Sequence, residues 1–313
     1  MLGLGAGGLA RLLPPAPAGI FAGTLILGVS TAVAQPAAAV VVRAWFPAGV
    51  QRAATAYALA LNIGGLAGAS LTAYIVIYGG WRGSFFVWSI PALAAAGLWF
   101  LLAPAAAARE AEPHDLGALV RDRGVWSAAG LFGSQSIVYF TTATWVPFLL
   151  RDRGAGYVAL VLFLLGVSLL PAGFVLAFVR RPFATRRAFY AAAGLLTLTG
   201  AAGFAAGLKD LAWLFAILVS MGAGLTFTGA MALPSLLARS ETQVAGYSAV
   251  MLTAGYALSF PSPYLGGLLL DGTGLLTAPF WPVVAAAAAM LAIGLTMRQQ
   301  AKPRGELRSG TLT

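Results

Sequence analysis

Long apolar runs separated by short charged clusters organise this chain. Nine charge-poor intervals stand out: residues 18–42, 53–81, 83–108, 124–150, 154–179, 188–208, 211–238, 242–270 and 272–297. Crossing a bilayer takes about 20 apolar residues in a helix, and a charge at mid-span costs about 2.5–3.5 kcal/mol on insertion scales. Each interval therefore predicts one transmembrane helix. The runs are apolar on all sides and do not alternate, which excludes the strands of a membrane barrel. The opening stretch, Met1–Leu13, is apolar but too short to cross. Its basic residue, Arg11, follows the apolar run, whereas a signal peptide places its charge before it. The stretch is expected to be the end of a helix that begins upstream, making the chain N-terminally truncated.

Composition points the same way. Of 313 residues, 60% are hydrophobic and 9% charged, against roughly 25% charged in a soluble domain. Mean hydropathy is +0.87. Such a chain cannot cover a water-soluble globule with polar surface. It has no cysteine and one histidine, His114. That excludes disulfides, thiol chemistry, histidine metal clusters and histidine-based triads. No enzyme, cofactor or metal site is implied.

The net charge of +10 is explained by topology signals beside the spans and does not call for a nucleic-acid partner. Counted by alternate loops, the 19 Lys and Arg residues divide 14 to 5. The richer side includes Arg43, Arg52, Arg180, Arg181, Arg186 and Arg187, together with the C-terminal tail. By the positive-inside rule this side is cytoplasmic. The expected location is the cytoplasmic (inner) membrane, multi-pass, with the C-terminus cytoplasmic.

The longest polar stretch, 109–123, holds four of the nine acidic residues and His114. It reads as a cytoplasmic linker. It divides the chain into an incomplete N-terminal bundle (1–108), a C-terminal six-helix bundle (124–297) and a cytoplasmic tail (298–313). Many transporters contain two repeated halves. At an offset of 190, Arg52–Ala69 lies over Thr242–Ser259, aligning Tyr57 with Tyr247 and Gly65 with Gly255. The match is weak support for a parallel repeat.

The segment "QPAAAVVVRAWFPAGVQRAATAYALALNIGG" (Gln35–Gly65) joins two spans by a short loop with two arginines around Trp-Phe-Pro. Arg43 and Arg52 can reach headgroups or cap the carbonyl end of the previous helix. Gly64, Gly65, Gly68 and Ala69 would let another helix approach closely. This pattern resembles helices IV and V of the major facilitator superfamily. "YGGWRGSFFVWSIPALAAAGLWFLLAP" (Tyr78–Pro104) is similar to its Gly-Trp-Arg start of helix VI. "QSIVYFTTATWVPFLLRDRG" (Gln135–Gly154) resembles helix VII of the cyanate and 2-nitroimidazole transporter branch. "LLARSETQVAGYSAVMLTAGYALSFPSPYLGGLLLDGTG" (Leu236–Gly274) resembles that branch's helices X to XI and the turn before helix XII.

The resemblance implies an all-α integral membrane protein of that fold: nine full transmembrane helices plus a partial one, with helices I and II missing. It implies a secondary carrier working by alternating access, and a monomer. Departures from the family pattern are clear. The Gly- and Asp-containing loop between helices II and III is absent, and "RRPFATRR" (Arg180–Arg187) lacks the Gly and Asp of its counterpart. The antiporter signature of helix V is also missing.

Polar groups inside spans are costly unless paired or lining a cavity, so they are the candidate substrate contacts. They are Gln35 and Asn62 in the first half, and Gln135, Tyr139, Thr142, Trp145 and Tyr256 in the second. Amides and hydroxyls can hold a small anion or a polar organic solute, and Trp and Tyr add apolar walls with one polar edge. Pro36 and Pro147 could break helices nearby. Asp271 is expected to cap the last helix. Each amide could equally serve as glue between helices. No ionisable Asp, Glu, Lys, Arg or His falls within a span, so a coupling proton or ion is left open. Two rival readings stand beside the carrier. One is a ten-helix drug/metabolite-type exporter, which needs the short opening stretch to be a full span. The other is a non-functional transporter fragment, which implies that this chain alone does not transport.

Overall fold

The computed structural model describes residues 2–102, 116–178, 183–238 and 240–297. Among them the regular structure is helical, with no strand. Helix α1 spans Leu2–Ala10, α2 Ala16–Trp45 and α3 Val50–Leu102. A short α4 (Leu116–Arg121) leads into α5 (Arg123–Leu149), α6 (Ala155–Val167) and α7 (Leu170–Phe178). Then come α8 (Arg187–Ala205), α9 (Ala212–Leu237), α10 (Glu241–Ser259), α11 (Ser262–Thr273) and α12 (Trp281–Thr296). The expected linker residues 109–115 and the tail 298–313 lie outside the described residues, as do His114, Arg180 and Arg181.

Local chemistry sets the boundaries. The Asp122 carboxylate accepts from Gly124 N at 2.7 Å and opens α5, and the Ser240 hydroxyl accepts from Gln243 N at 3.2 Å and opens α10; both are N-cap bonds. α3 is broken at Gly80, whose φ of 64° is non-helical. Glycine reaches that region without the Cβ penalty. The break falls one residue before the predicted span boundary at Trp81–Arg82.

Two expectations need correction. Pro36 and Pro147 do not break their helices: both sit inside continuous ones, α2 and α5. A proline removes one backbone bond, but in an apolar surrounding the other backbone groups gain by staying paired within the helix. Asp271 does not cap α12. It lies inside α11, which ends on left-handed Gly274, and α12 begins only at Trp281.

Among the described residues, six stretches are long and apolar enough to cross a membrane: Ala16–Trp45, Ile75–Leu102, Ala155–Phe178, Arg187–Ala205, Lys209–Leu237 and Ala278–Thr296. This is fewer than the nine spans expected. Two of the expected spans, 124–150 and 242–270, are helical, but α5 and α10 within them are among the least apolar long helices. Large apolar side chains point outward along the helices, including Phe21, Leu25 and Val33 on α2, Leu101 on α3 and Phe178 on α7. An apolar exterior of this extent suits lipid rather than water.

Inside, the helices close on small residues. A Cβ on Gly222 of α9 would lie 2.2 Å from Thr197 Oγ1 and 2.4 Å from Ala193 O on α8. Aromatic residues fill the wider layers, with Phe204 stacked on Phe280 at 5.3 Å. Helices α2 and α3 pack on α7, α9 and α10, so the first and second halves of the chain meet along these elements.

Candidate functional site

A cavity of about 700 Å³ lies where these elements meet. Gln35 of α2, and Leu61, Asn62, Gly65 and Leu66 of α3, contribute from the first half. Phe132, Gln135, Ser136, Tyr139, Phe140 and Ala143 line one face of α5. α6 adds Ala159, Leu162, Phe163, Leu165 and Gly166, with Leu169 just beyond it; α9 adds Phe227 and α10 adds Tyr256. Five of the seven residues expected from the sequence, Gln35, Asn62, Gln135, Tyr139 and Tyr256, thus come together at one place. Thr142 and Trp145 lie elsewhere. Thr142 is fully buried in the helix packing, its hydroxyl without a hydrogen-bond partner among the described residues. Trp145 donates to Pro263 O at 3.0 Å and stands against Gly266 and Gly267, fastening α5 to α11.

The polar groups of the cavity differ in how far the protein satisfies them. Gln35 Nε2 donates to Tyr256 Oη at 3.3 Å, a bond between the two halves. Gln135, 6% exposed, accepts from Ser136 Oγ at 3.3 Å. The amide nitrogen of Asn62 is shielded and has no partner among the described residues. An unmet buried donor costs about 1–3 kcal/mol. The walls are ring-rich: Phe132 meets Tyr256 edge to face at 5.0 Å and Phe227 at 6.2 Å, and Tyr139 meets Phe140 at 5.6 Å.

The glycines expected to seat a neighbouring helix do something else. A Cβ on Gly64, Gly65 or Gly68 would meet nothing within 4 Å. No helix among the described residues packs there, and Gly65 borders the cavity instead. The Ala69 side chain is outside what is described. Sequence reasoning also missed the rest of the lining, above all Phe132, Ser136, Phe140, Phe163 and Phe227. The signal for part of it was available. Phe132 and Tyr139 stand three residues before and four residues after Gln135 on α5, so they share its face.

One end of the cavity is sealed by contacts between the halves. Val42 and Ala54 pack with Leu176, Phe183, Ala184 and Ala232. Arg43 Nη1 donates to Ser235 O at 2.7 Å and to Ala238 O at 2.5 Å, so it caps the carbonyl end of α9, not that of the preceding helix. A guanidinium at a helix C-terminus also meets the negative end of the dipole. Ser235 Oγ returns a bond to Ala39 O at 3.1 Å. Gln51 Oε1 accepts from Phe183 N at 2.9 Å and Ala184 N at 3.3 Å. Arg52 follows Gln51 at the start of α3. Arg186 is the residue before α8, and Arg187 Nε donates to Met297 O at the end of α12. These arginines therefore share the sealed end.

Comparisons with known proteins agree with this architecture. The family model of the Major Facilitator Superfamily matches residues 1–263. An uncharacterized transporter of Bacillus subtilis (strain 168), YycB, is 26% identical over 286 residues, covering 88% of this chain and 70% of that protein. A 2-nitroimidazole transporter of Escherichia coli (strain K12) is 24% identical over 297 residues, covering 92% of this chain and 75% of that one. Among solved structures, the superfamily transporter FucP, in the outward conformation, superposes with a TM-score of 0.62 at 15% identity, covering 95% of this chain and 83% of its own. The chain belongs to the Major Facilitator Superfamily of membrane transporters.

Proposed function

We infer that this protein is a secondary active transporter that moves a small anion or polar organic solute across the cytoplasmic membrane by alternating access. The observation that carries the reading is the cavity, walled by both halves of the chain and closed at one end by contacts between them. The two moving bodies are residues 1–108 and 124–297, joined by the linker 109–123. The arginine-rich sealed end faces the cytoplasm, as does the tail 298–313. Gln35, Asn62, Gln135, Tyr139 and Tyr256 contact the solute. Closing the outer end around it and releasing the Arg43, Gln51 and Ser235 bonds would expose the cavity to the other side. The relative named as a 2-nitroimidazole transporter supplies a first solute to try.

The test is uptake of labelled 2-nitroimidazole by proteoliposomes containing the chain. Saturable uptake above that of protein-free vesicles, lost on Gln135→Leu, is expected. Uptake that rises linearly with concentration for this solute and for a panel of small anions would sink the carrier reading.

A further inference from the structure

The cavity's chemistry narrows the solute further than the proposed function does, and the step rests on that reading. Among the described residues that line it, none is Asp, Glu, Lys, Arg or His. An ion entering would leave water and find no counter-charge, a cost that hydrogen bonds alone offset poorly in a low-dielectric site. A hydrated polyol fits badly as well. It carries a hydroxyl on nearly every carbon, and each buried one needs a partner. The polar lining consists of three amides and three hydroxyls, several already engaged with one another through Gln35–Tyr256 and Gln135–Ser136. The rest of the wall is aliphatic or aromatic, with Phe132, Phe163 and Phe227 presenting rings. Such a wall suits stacking and edge contacts with a flat ring.

The Asn62 nitrogen is shielded, and the described protein gives it no acceptor. A half-turn about its terminal torsion, which is broad and soft, would bring that NH₂ to the cavity side. We propose that the ligand is an uncharged planar ring bearing a hydrogen-bond acceptor, such as a nitro or carbonyl oxygen or a ring nitrogen, and that Asn62 is the residue that reads the acceptor. The ring lies against the aromatic wall, while Gln35 and Tyr256, bonded to each other, hold the two halves together beside it. A ligand without the acceptor leaves the Asn62 donor unmet, and sites built around a donor reject such ligands strongly.

The test uses the whole chain in lipid nanodiscs and two probes with the same ring and nitro group. One is 1-methyl-2-nitroimidazole, which is uncharged; the other is (2-nitroimidazol-1-yl)acetate, which adds a carboxylate. Isothermal titration is expected to give the neutral probe an affinity at least about tenfold higher. Asn62→Leu should weaken its binding by about tenfold, the order of one lost hydrogen bond. Asn62→Ala, which removes the donor without adding bulk or charge, should weaken it similarly while leaving the melting temperature close to that of the parent. Equal or tighter binding of the carboxylate, or no binding of either probe, overturns the ligand class. Unchanged affinity in both variants overturns the role of Asn62. Selective binding without any uptake would sink the carrier reading and leave this inference standing, so the two fail separately.

Discussion

Replacing Arg43 with alanine should loosen the sealed end of the cavity. In the structure one guanidinium nitrogen bridges Ser235 O and Ala238 O, the last carbonyls of α9, from a half-buried position. A hydrogen bond with one charged partner contributes about 1.5–3 kcal/mol net. Both bonds share one nitrogen and the site is partly hydrated, so they do not add fully. A figure of about 2 kcal/mol for the pair corresponds to a shift of about thirtyfold in the equilibrium between sealed and opened ends. The chain lacks cysteine, so a single reporter can be introduced without background. Val42→Cys puts a thiol in the sealed layer, at a position 8% exposed in the parent, and shortens the side chain rather than overfilling the site. In nanodiscs its maleimide labelling rate should rise about thirtyfold when Arg43→Ala is added. Arg43→Lys should give a smaller increase, because an ammonium keeps the charge and still donates, though from a shorter, unforked side chain. A labelling rate unchanged within twofold, in a variant that melts like its parent, would refute the idea that Arg43 latches the halves.

Other consequences can be checked with simpler assays. Tyr256→Phe removes the acceptor of the 3.3 Å bond from Gln35 and should lower stability by about 0.5–1.5 kcal/mol, read from thermal unfolding in detergent. Gly222→Ala places a methyl group 2.2 Å from Thr197 Oγ1 and 2.4 Å from Ala193 O; forcing α8 and α9 apart should cost about 1–3 kcal/mol and lower the melting temperature. On the end opposite the arginine latch, Lys209 Nζ donates to Asp152 at 2.8 Å. That hydrogen bond chiefly holds the Asp152 carboxyl below its usual range. The folded state therefore binds the proton less readily than the unfolded state. The pair's contribution is present at neutral pH and is lost as pH falls through the lowered value. In this exposed setting the effect is small, and Lys209→Met should remove it, seen as a flatter acid limb in melting temperature against pH.

The helical, membrane-spanning character was legible along the chain because bilayer thickness imposes itself on each segment independently. Breaks fall where charges or turn residues interrupt the apolar runs, as at Gly80–Arg82 and at Asp122. The cavity was legible only in part. Gln35, Asn62, Gln135, Tyr139 and Tyr256 stood out because a polar group in an apolar span is costly without a partner. Thr142 and Trp145 stood out by the same logic, yet their neighbours differ: one is buried in the helix packing and the other ties α5 to α11. The phenylalanines of the wall did not stand out, since a phenylalanine in a span is ordinary whether it faces lipid, core or cavity.

Taken by itself, the sequence determined an all-helical chain of membrane spans and the resemblance to a transporter superfamily, since both rest on local runs of residues. It also marked which amides carry a desolvation cost. Tertiary structure alone decided which of them meet, that Arg43 binds the end of α9 rather than its own helix, and that Gly65 borders a cavity rather than a neighbouring helix. The physical reason is common to all three. A span's apolarity is a property of one segment in lipid, whereas a partner is set by how helices far apart in the chain pack, and residues 221 positions apart such as Gln35 and Tyr256 leave no sign of their pairing in either segment.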